Sequence, residues 1–345
     1  MTDRNRITVP GTDRIFHRMK ILSVLLLSMG MSLMAISSVN VALPTIQEGL
    51  GATDSDIQWV LAGYALTFGV TLIPAGRAGD VLGRGSWFIV GAALFTVASV
   101  ACGLAPSAFI LNAARLLQGV GAGIFSPQVT GMIQQYFSGG GRAKAFAALG
   151  VTISGSVATG PVVAGAIIEA VGPETGWRWA FFGYLPLGLA CVVLGLMWFP
   201  FKKERLRRQS PEKTAAKVDL DPIGTLLLTA AGLAVMYPFM ARQLWAWALL
   251  ALAPVLVIAW WRWEKRYKAV GREPLVDLDL FRYRSFRNGL LVAGAAFMGL
   301  TSTFAVVAIF LQTGLGVDAL RSGLIGLPNA IVSAISSIYT VRFVI

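Results

Sequence analysis

Arg115 is the one charged side chain lying well inside an apolar stretch of this chain, and no Asp or Glu accompanies it at similar depth. A charge at the centre of a bilayer costs about 2.5–3.5 kcal/mol on insertion scales, so it marks a functional site by default. Gln118, three residues on, shares its helical face, and Ser37, Ser38 and Asn40 supply polar groups within another apolar stretch. Polar groups facing lipid would be unsatisfied, so all five are expected to face a bundle interior, where they can line a polar cavity. Two roles are open for Arg115: pairing to backbone carbonyls, or coupling to a substrate or a proton. For the two serines, helix–helix hydrogen bonding is the simpler reading.

The elements that position these residues follow from composition. Of 345 residues, 56% are hydrophobic and 13% charged, against roughly a quarter charged in soluble chains. About 20 apolar residues cross a bilayer as a helix, and ten stretches qualify. They are Ile21–Ile46, Ile57–Ala75, Trp87–Leu104, Phe109–Ile133, Ala145–Ile168, Ala180–Pro200, Ile223–Met240, Trp247–Trp261, Gly289–Leu311 and Gly323–Val341. The fold class is therefore all-α and polytopic. The first stretch is too long for a signal-peptide core and lacks a small-residue cleavage site, so it is read as a mature helix.

The net charge of +12 raises the question of nucleic acid, and the loops answer it. With a cytoplasmic N-terminus, 25 of the 29 Lys and Arg fall on the inner side, and Arg178, Arg242 and Arg321 on the outer side. This is the positive-inside bias, which predicts a multi-pass protein of the cell (plasma) membrane with both ends cytoplasmic. The lipid bilayer is the expected partner of the basic loops, with no nucleic acid. All ten Trp lie at or near span ends, the level that amphipathic indoles prefer. Cys102 and Cys191 sit in separate spans and read as small buried hydrophobes. His17, the single histidine, lies in a basic N-terminal arm and reads as solvated surface. One His, two scattered Cys and no carboxylate pair inside the spans predict no metal, no cofactor and no enzyme chemistry.

Six spans precede a basic segment, Phe201–Lys217; two spans follow, then a second charged segment, Arg262–Arg287, and two more spans. The expected organisation is an N-terminal six-helix bundle (1–200), a basic loop with a two-helix insert (201–264), and the first two helices of a second, incomplete bundle (265–345). Transporters commonly pair two similar halves around a midplane site. Leu50-Gly51-Ala-Thr-Asp and Leu315-Gly316-Val-Asp, each preceding a span, faintly echo one another.

The loop after the second span reads Gly76-Arg-Ala-Gly79-Asp80-Val-Leu-Gly83-Arg84-Gly85. Its glycines permit a tight turn, and Asp80 with Arg84 can tie neighbouring helix ends by charge-assisted hydrogen bonds. With Gly76, Asp80, Gly83 and Arg84 in place, this loop resembles the signature loop of the major facilitator superfamily. Leu111-x-x-x-Arg115-x-x-Gln118-Gly119-x-Gly121 is similar to the family's fourth-helix arginine motif, and Gly160-Pro161-Val-Val-Ala164-Gly165 to the fifth-helix motif of its antiporters. Asn40-Val-Ala-Leu-Pro44 and Trp177-Arg-Trp-Ala-Phe-Phe182 resemble signatures of the drug:proton antiporter branch with fourteen helices, and the inserted pair of spans matches that branch. The segments Pro274-Leu-Val-Asp-Leu and Leu320-Arg-Ser-Gly-Leu-Ile-Gly-Leu-Pro328 agree with its later stretches.

The resemblance implies secondary active export of drugs or other small amphipathic molecules by alternating access, with a small-molecule substrate and protons as partners. It casts Arg115 and Gln118 in substrate or proton coupling, the Gly76–Arg84 loop as a gate, and Gly160, Pro161 and Gly165 as a hinge. On physical grounds Gly160-Pro161 removes an amide donor and loosens its helix, while Gly119, Gly121 and Gly123 clear a groove for close helix packing. Two departures stand out. The branch carries an Asp five residues before Asn40, where this chain has Ala35, so proton coupling through that acid is not expected and a neutral or anionic substrate fits better. The chain also ends about four helices early for the family, which predicts a truncated product; the alternative is a non-transporting membrane remnant or scaffold.

Overall fold

The computed structural model describes residues 6–9, 12–201, 221–241, 243–272, 274–318 and, beyond these, 321, 324, 325, 328, 331, 332 and 335. Its helices form two compact units, Met1–Lys217 with Val317–Ile345, and Val218–Gly316.

The first unit opens with a short antiparallel hairpin, β1 (Arg6–Val9) and β2 (Thr12–His17), in which Arg6 pairs with His17. Apolar patterning alone does not announce so small an addition to a helical protein. His17 is exposed, as expected of a basic arm. Seven helices follow: α1 (Arg18–Leu50), α2 (Asp54–Leu82), α3 (Arg84–Leu104), α4 (Ala108–Tyr136), α5 (Gly139–Val171), α6 (Pro173–Phe182) and α7 (Tyr184–Trp198). Local chemistry sets their ends. Gly51, at φ +57°, stops α1 and donates its N–H to the Gln47 and Glu48 carbonyls. Thr53 and Asp56 form a reciprocal capping box at the start of α2. Ser107 caps α4, and Pro173 sits at the first turn of α6, where its missing N–H costs nothing.

The second unit contains α8 (Pro222–Ala241), a 3-10 turn (Leu244–Trp247), α9 (Ala248–Ala269), a second 3-10 turn (Leu278–Arg282) and α10 (Arg284–Ile309). Helices α8 and α9 pack as a hairpin. In the last turn of α9, Lys268 bonds Asp277 at 2.6 Å and Asp279 at 2.5 Å. The Lys268 hydrogen bond, helped by the Asp279 N–H, holds the Asp277 carboxyl below the usual carboxylate range. This tie persists above that range and is lost as pH falls through the lowered value.

Among the described residues, eight helical segments are long and apolar enough to cross a membrane. They match the first eight expected spans, with one shift. The sixth crossing runs from Pro173 to Trp198 and is interrupted at Gly183, so it begins before the expected Ala180. Polar residues Glu174 and Arg178 hide that earlier start in a hydropathy reading. The ninth span falls on α10; the tenth, Gly323–Val341, and the basic segment after Phe201 lie largely outside the described residues. Large apolar side chains such as Val97, Phe109, Leu117 and Leu226 point outward, as a lipid-facing surface requires.

The interior is aromatic and closely packed. Phe125 of α4 meets Phe88 and Phe95 of α3 at centroid distances of 6.0 and 5.9 Å, and Phe95 meets Tyr184 edge-on at 6.2 Å. Helix α4 lies between α2 and α3, and glycines let it do so. A Cβ on Gly91 would stand 2.7 Å from the Phe125 nitrogen, and one on Gly123 would stand 2.8 Å from the Phe68 carbonyl oxygen. Cys102 and Cys191 are both buried and free.

Candidate functional site

Arg115 projects from α4 about two turns past its start and is 1% exposed. Its Nε donates to the Val60 carbonyl of α2 at 2.9 Å. Its Nη1 donates to Gln118 Oε1 at 2.6 Å and, more weakly, to the Ala35 carbonyl of α1 at 3.5 Å. The guanidinium lies 4.5 Å from the Tyr64 ring centre and 6.0 Å from that of Phe181 in α6. Gln118 relays the contact: its Nε2 donates to Ser99 Oγ of α3 at 2.7 Å, and Ser99 donates to the Phe95 carbonyl at 2.7 Å. Arg115 and Gln118 together therefore link α4 to α1, α2, α3 and α6.

Magnitudes explain why no acid is needed. Hydrogen bonds to a charged group contribute about 1.5–3 kcal/mol each, and a desolvated cation over an aromatic face about 2 kcal/mol. Together these offset the insertion cost of about 2.5–3.5 kcal/mol. Among the described residues no carboxylate pairs with Arg115, and Ala35 is fully buried with its carbonyl turned to the arginine.

The other expected coupling residues do not converge on Arg115. Ser38 bonds the Tyr184 hydroxyl at 2.6 Å, with both residues buried. Ser37 donates back to the Met34 carbonyl at 3.4 Å and abuts Gly160 of α5. Asn40 is half-buried and is not among the hydrogen-bond partners of Arg115. Sequence reasoning missed Tyr64, Ser99 and Tyr184. Tyr64 carries the stacked face and bonds Ser32 through its hydroxyl at 2.9 Å. The available signal was a hydroxyl group inside each of several apolar stretches. Ser38→Ala and Tyr184→Phe are each expected to cost about 1 kcal/mol, and the double variant little more than either alone. Thermal unfolding of the detergent-purified proteins gives the comparison; simple additivity would mean that the two hydroxyls do not bond.

The Gly76–Arg84 loop is not a separate loop but the end of α2 and a one-residue turn. Gly83, at φ +100° and ψ 122°, adopts a conformation closed to other residues and separates α2 from α3. Asp80 Oδ1 bonds Arg84 Nε at 2.8 Å and Nη2 at 2.6 Å. The Arg84 guanidinium lies against Gly131 of α4, where any Cβ would overlap it. Gln128 of α4 packs on Gly79 and donates to the Ala75 carbonyl at 2.7 Å. Gly76 faces Pro127, so Gly76 and Gly79 seat this end of α2 on α4. Gln128, a buried amide absent from the sequence-derived set, completes that seat.

Pro161 lies inside α5, which continues as one helix from Gly139 to Val171. Gly160 is a contact residue as well: a Cβ there would meet the Met34 carbonyl at 3.0 Å and overlap Ser37. Gly165 is buried on the same helix.

A polytopic helical bundle with a buried, carbonyl-bound arginine in its fourth helix and an Asp–Arg turn between its second and third defines the class. The chain belongs to the major facilitator superfamily, whose family model matches residues 25–239, and it is a multi-pass membrane protein. It is 33% identical over 338 residues to a Streptomyces coelicolor protein described as a probable actinorhodin transporter, covering 96% of this chain and 57% of that one. It is 34% identical over 322 residues to the uncharacterized MFS-type transporter EfpA of Mycobacterium tuberculosis, covering 89% and 56%. It is 32% identical over 306 residues to the puromycin resistance protein pur8 of Streptomyces alboniger, covering 87% and 57%. The chain thus spans a little over half the length of these relatives. Among solved structures, the proton:xylose symporter XylE shares the fold, with a TM-score of 0.59 at 14% identity over 94% of this chain and 68% of that one.

Proposed function

We propose that this chain carries the N-terminal bundle and insert of a secondary transporter that exports small amphipathic molecules by alternating access across the plasma membrane, its N-terminus cytoplasmic. The buried Arg115 network carries the reading: a fixed cation, held by uncharged partners, ties α4 to α1, α2 and α6. The names of the relatives, an antibiotic transporter and an antibiotic resistance protein, support drug-like substrates. Arg115 and Gln118 contact the substrate or transmit its arrival, with Ser37, Ser38 and Asn40 on the neighbouring wall. Gly76, Asp80, Gly83 and Arg84 form the inner gate, and Gly160, Pro161 and Gly165 the hinge of α5.

Ala35 sets the expected selectivity. Without a carboxylate on α1 at the depth of Arg115, the site has a net positive potential, which favours neutral or anionic substrates and leaves protons uncoupled from this position. In membrane vesicles carrying the protein from its full reading frame, Ala35→Asp is expected to gain efflux of a cationic dye driven by a pH gradient. Robust proton-driven efflux of the same dye by the unaltered protein, with no gain in the variant, would overturn this assignment.

A further inference from the structure

Asp221 and Glu264 are the only buried carboxylates among the described residues, each 1% exposed. They stand at opposite ends of the insert hairpin in sequence, just outside its apolar stretches, and the α8–α9 pairing brings them together. Each has one oxygen fully engaged. Asp221 Oδ1 accepts the Gly224 N–H at 2.9 Å, capping α8, and the Trp263 Nε1–H at 2.8 Å. Glu264 Oε2 accepts the Leu275 N–H at 2.9 Å. The other two oxygens, Asp221 Oδ2 and Glu264 Oε1, are buried without a well-formed hydrogen bond, and the Trp260 indole N–H is the neutral donor beside the Glu264 carboxyl. Both lie within 2.9 Å of the single point where a Cβ on Gly224 would stand, so the two carboxylates share the space over that glycine.

No cation resolves this juxtaposition. Lys265, Lys268, Asp279 and Arg282 line the same 560 Å³ cavity as Glu264. Lys268 is committed to Asp277 and Asp279, Arg282 stands 3.8 Å from Asp279, and Lys265 lies over the Trp261 ring. Among the described residues neither Asp221 nor Glu264 has an ion-pair partner. Two ionised carboxylates placed side by side repel, and sharing a site disfavours the second charge. Asp221 also holds a left-handed backbone, φ +40°, that turns its side chain back over the start of α8.

We propose that Asp221 and Glu264 form a proton-binding site, with one proton held between Asp221 Oδ2 and Glu264 Oε1 and fastening the start of α8 to the end of α9. One acid is the neutral O–H donor and the other the anionic acceptor. Loss of the proton to bulk water breaks that O–H bond, leaves two facing anions and loosens the hairpin ends. The site is independent of the export reading, since it lies in the insert and involves none of the Arg115 network.

Infrared spectroscopy of the purified full chain, dialysed against chelator, tests this directly. At neutral pH one protonated-carboxyl band is expected, shifting in D2O and vanishing in both Asp221→Asn and Glu264→Gln. Raising the pH is expected to remove the band and lower the Tm of the unaltered protein together. In Glu264→Gln the amide donates in place of the proton, so that alkaline loss of stability disappears. Absence of the band at neutral pH, or its persistence in both variants, would overturn the assignment even if one variant folds poorly. Recovery of alkaline stability on adding Na+, K+ or Mg2+ would equally overturn it, because a cation rather than a proton would then bridge the pair.

Discussion

Arg115→Met is expected to leave the bundle about as stable as before, whereas the seemingly milder Arg115→Lys destabilises it by about 2–4 kcal/mol. The reasoning lies in what each change leaves unpaired. The Val60 and Ala35 carbonyls sit in helix interiors and keep their own N–H partners when the guanidinium goes. Only Gln118 Oε1 loses its main donor, a cost of about 1–3 kcal/mol. Methionine fills much of the volume and removes a buried charge worth a similar penalty. Lysine keeps the charge but not the fork: one ammonium cannot reach Val60 and Gln118 together while lying flat on Tyr64. Thermal unfolding in detergent separates the two variants. Equal losses for both would show that the charge, not its geometry, is what the fold depends on. If Arg115 contacts the substrate as proposed, export is expected to fall at least about tenfold in either variant, because each removes the guanidinium fork. A methionine variant that still transports would reduce Arg115 to a packing element.

The second large effect is expected at Gly121. A Cβ there would stand 2.5 Å from the Phe95 nitrogen and 2.9 Å from its Cα, both backbone atoms of α3. No rotamer change relieves such a contact, so α3 must move bodily away from α4. Gly121→Ala is therefore expected to cost about 3 kcal/mol, and Gly121→Val to prevent folding of the first unit. Gly155, in the middle of α5, has nothing within 4 Å of its Cβ position. Gly155→Ala is expected to stabilise by about 0.5–1 kcal/mol through helix propensity alone. Should the two alanine variants unfold at the same temperature, the close α3–α4 approach would be refuted.

Much of this architecture was legible in the sequence because the bilayer imposes it. Spans such as Trp87–Leu104 have to be helical, their length follows from lipid thickness, and their flanking charges follow the positive-inside bias. Gly119, Gly121 and Gly123 announced close packing, and each abuts backbone on a neighbouring helix. What stayed hidden depends on long-range contact. Nothing local to Tyr64 says that Arg115 stacks on it, and nothing near Asp221 points to Glu264. Ser37, Ser38 and Asn40 share a span, yet helical rotation sends Ser38 to Tyr184 and Ser37 to α5. The early start of the sixth crossing was masked by Glu174 and Arg178. Arg178 in fact turns back to the Gly103 and Ala105 carbonyls at 3.0 and 2.6 Å, beside the end of α3.

The position of α4 between α2 and α3 also bears on biogenesis. Translation delivers α2 and α3 to the membrane before the helix that unites them has been made. During that interval the face of α2 bearing Tyr64 and Thr67 has no α4 to receive it. The single-residue turn at Gly83 then acts as a tether, keeping α2 within reach of α3 until α4 arrives and captures both. A longer or looser connection would let α2 drift away in the lipid before capture, so the turn serves assembly even before it serves any gate.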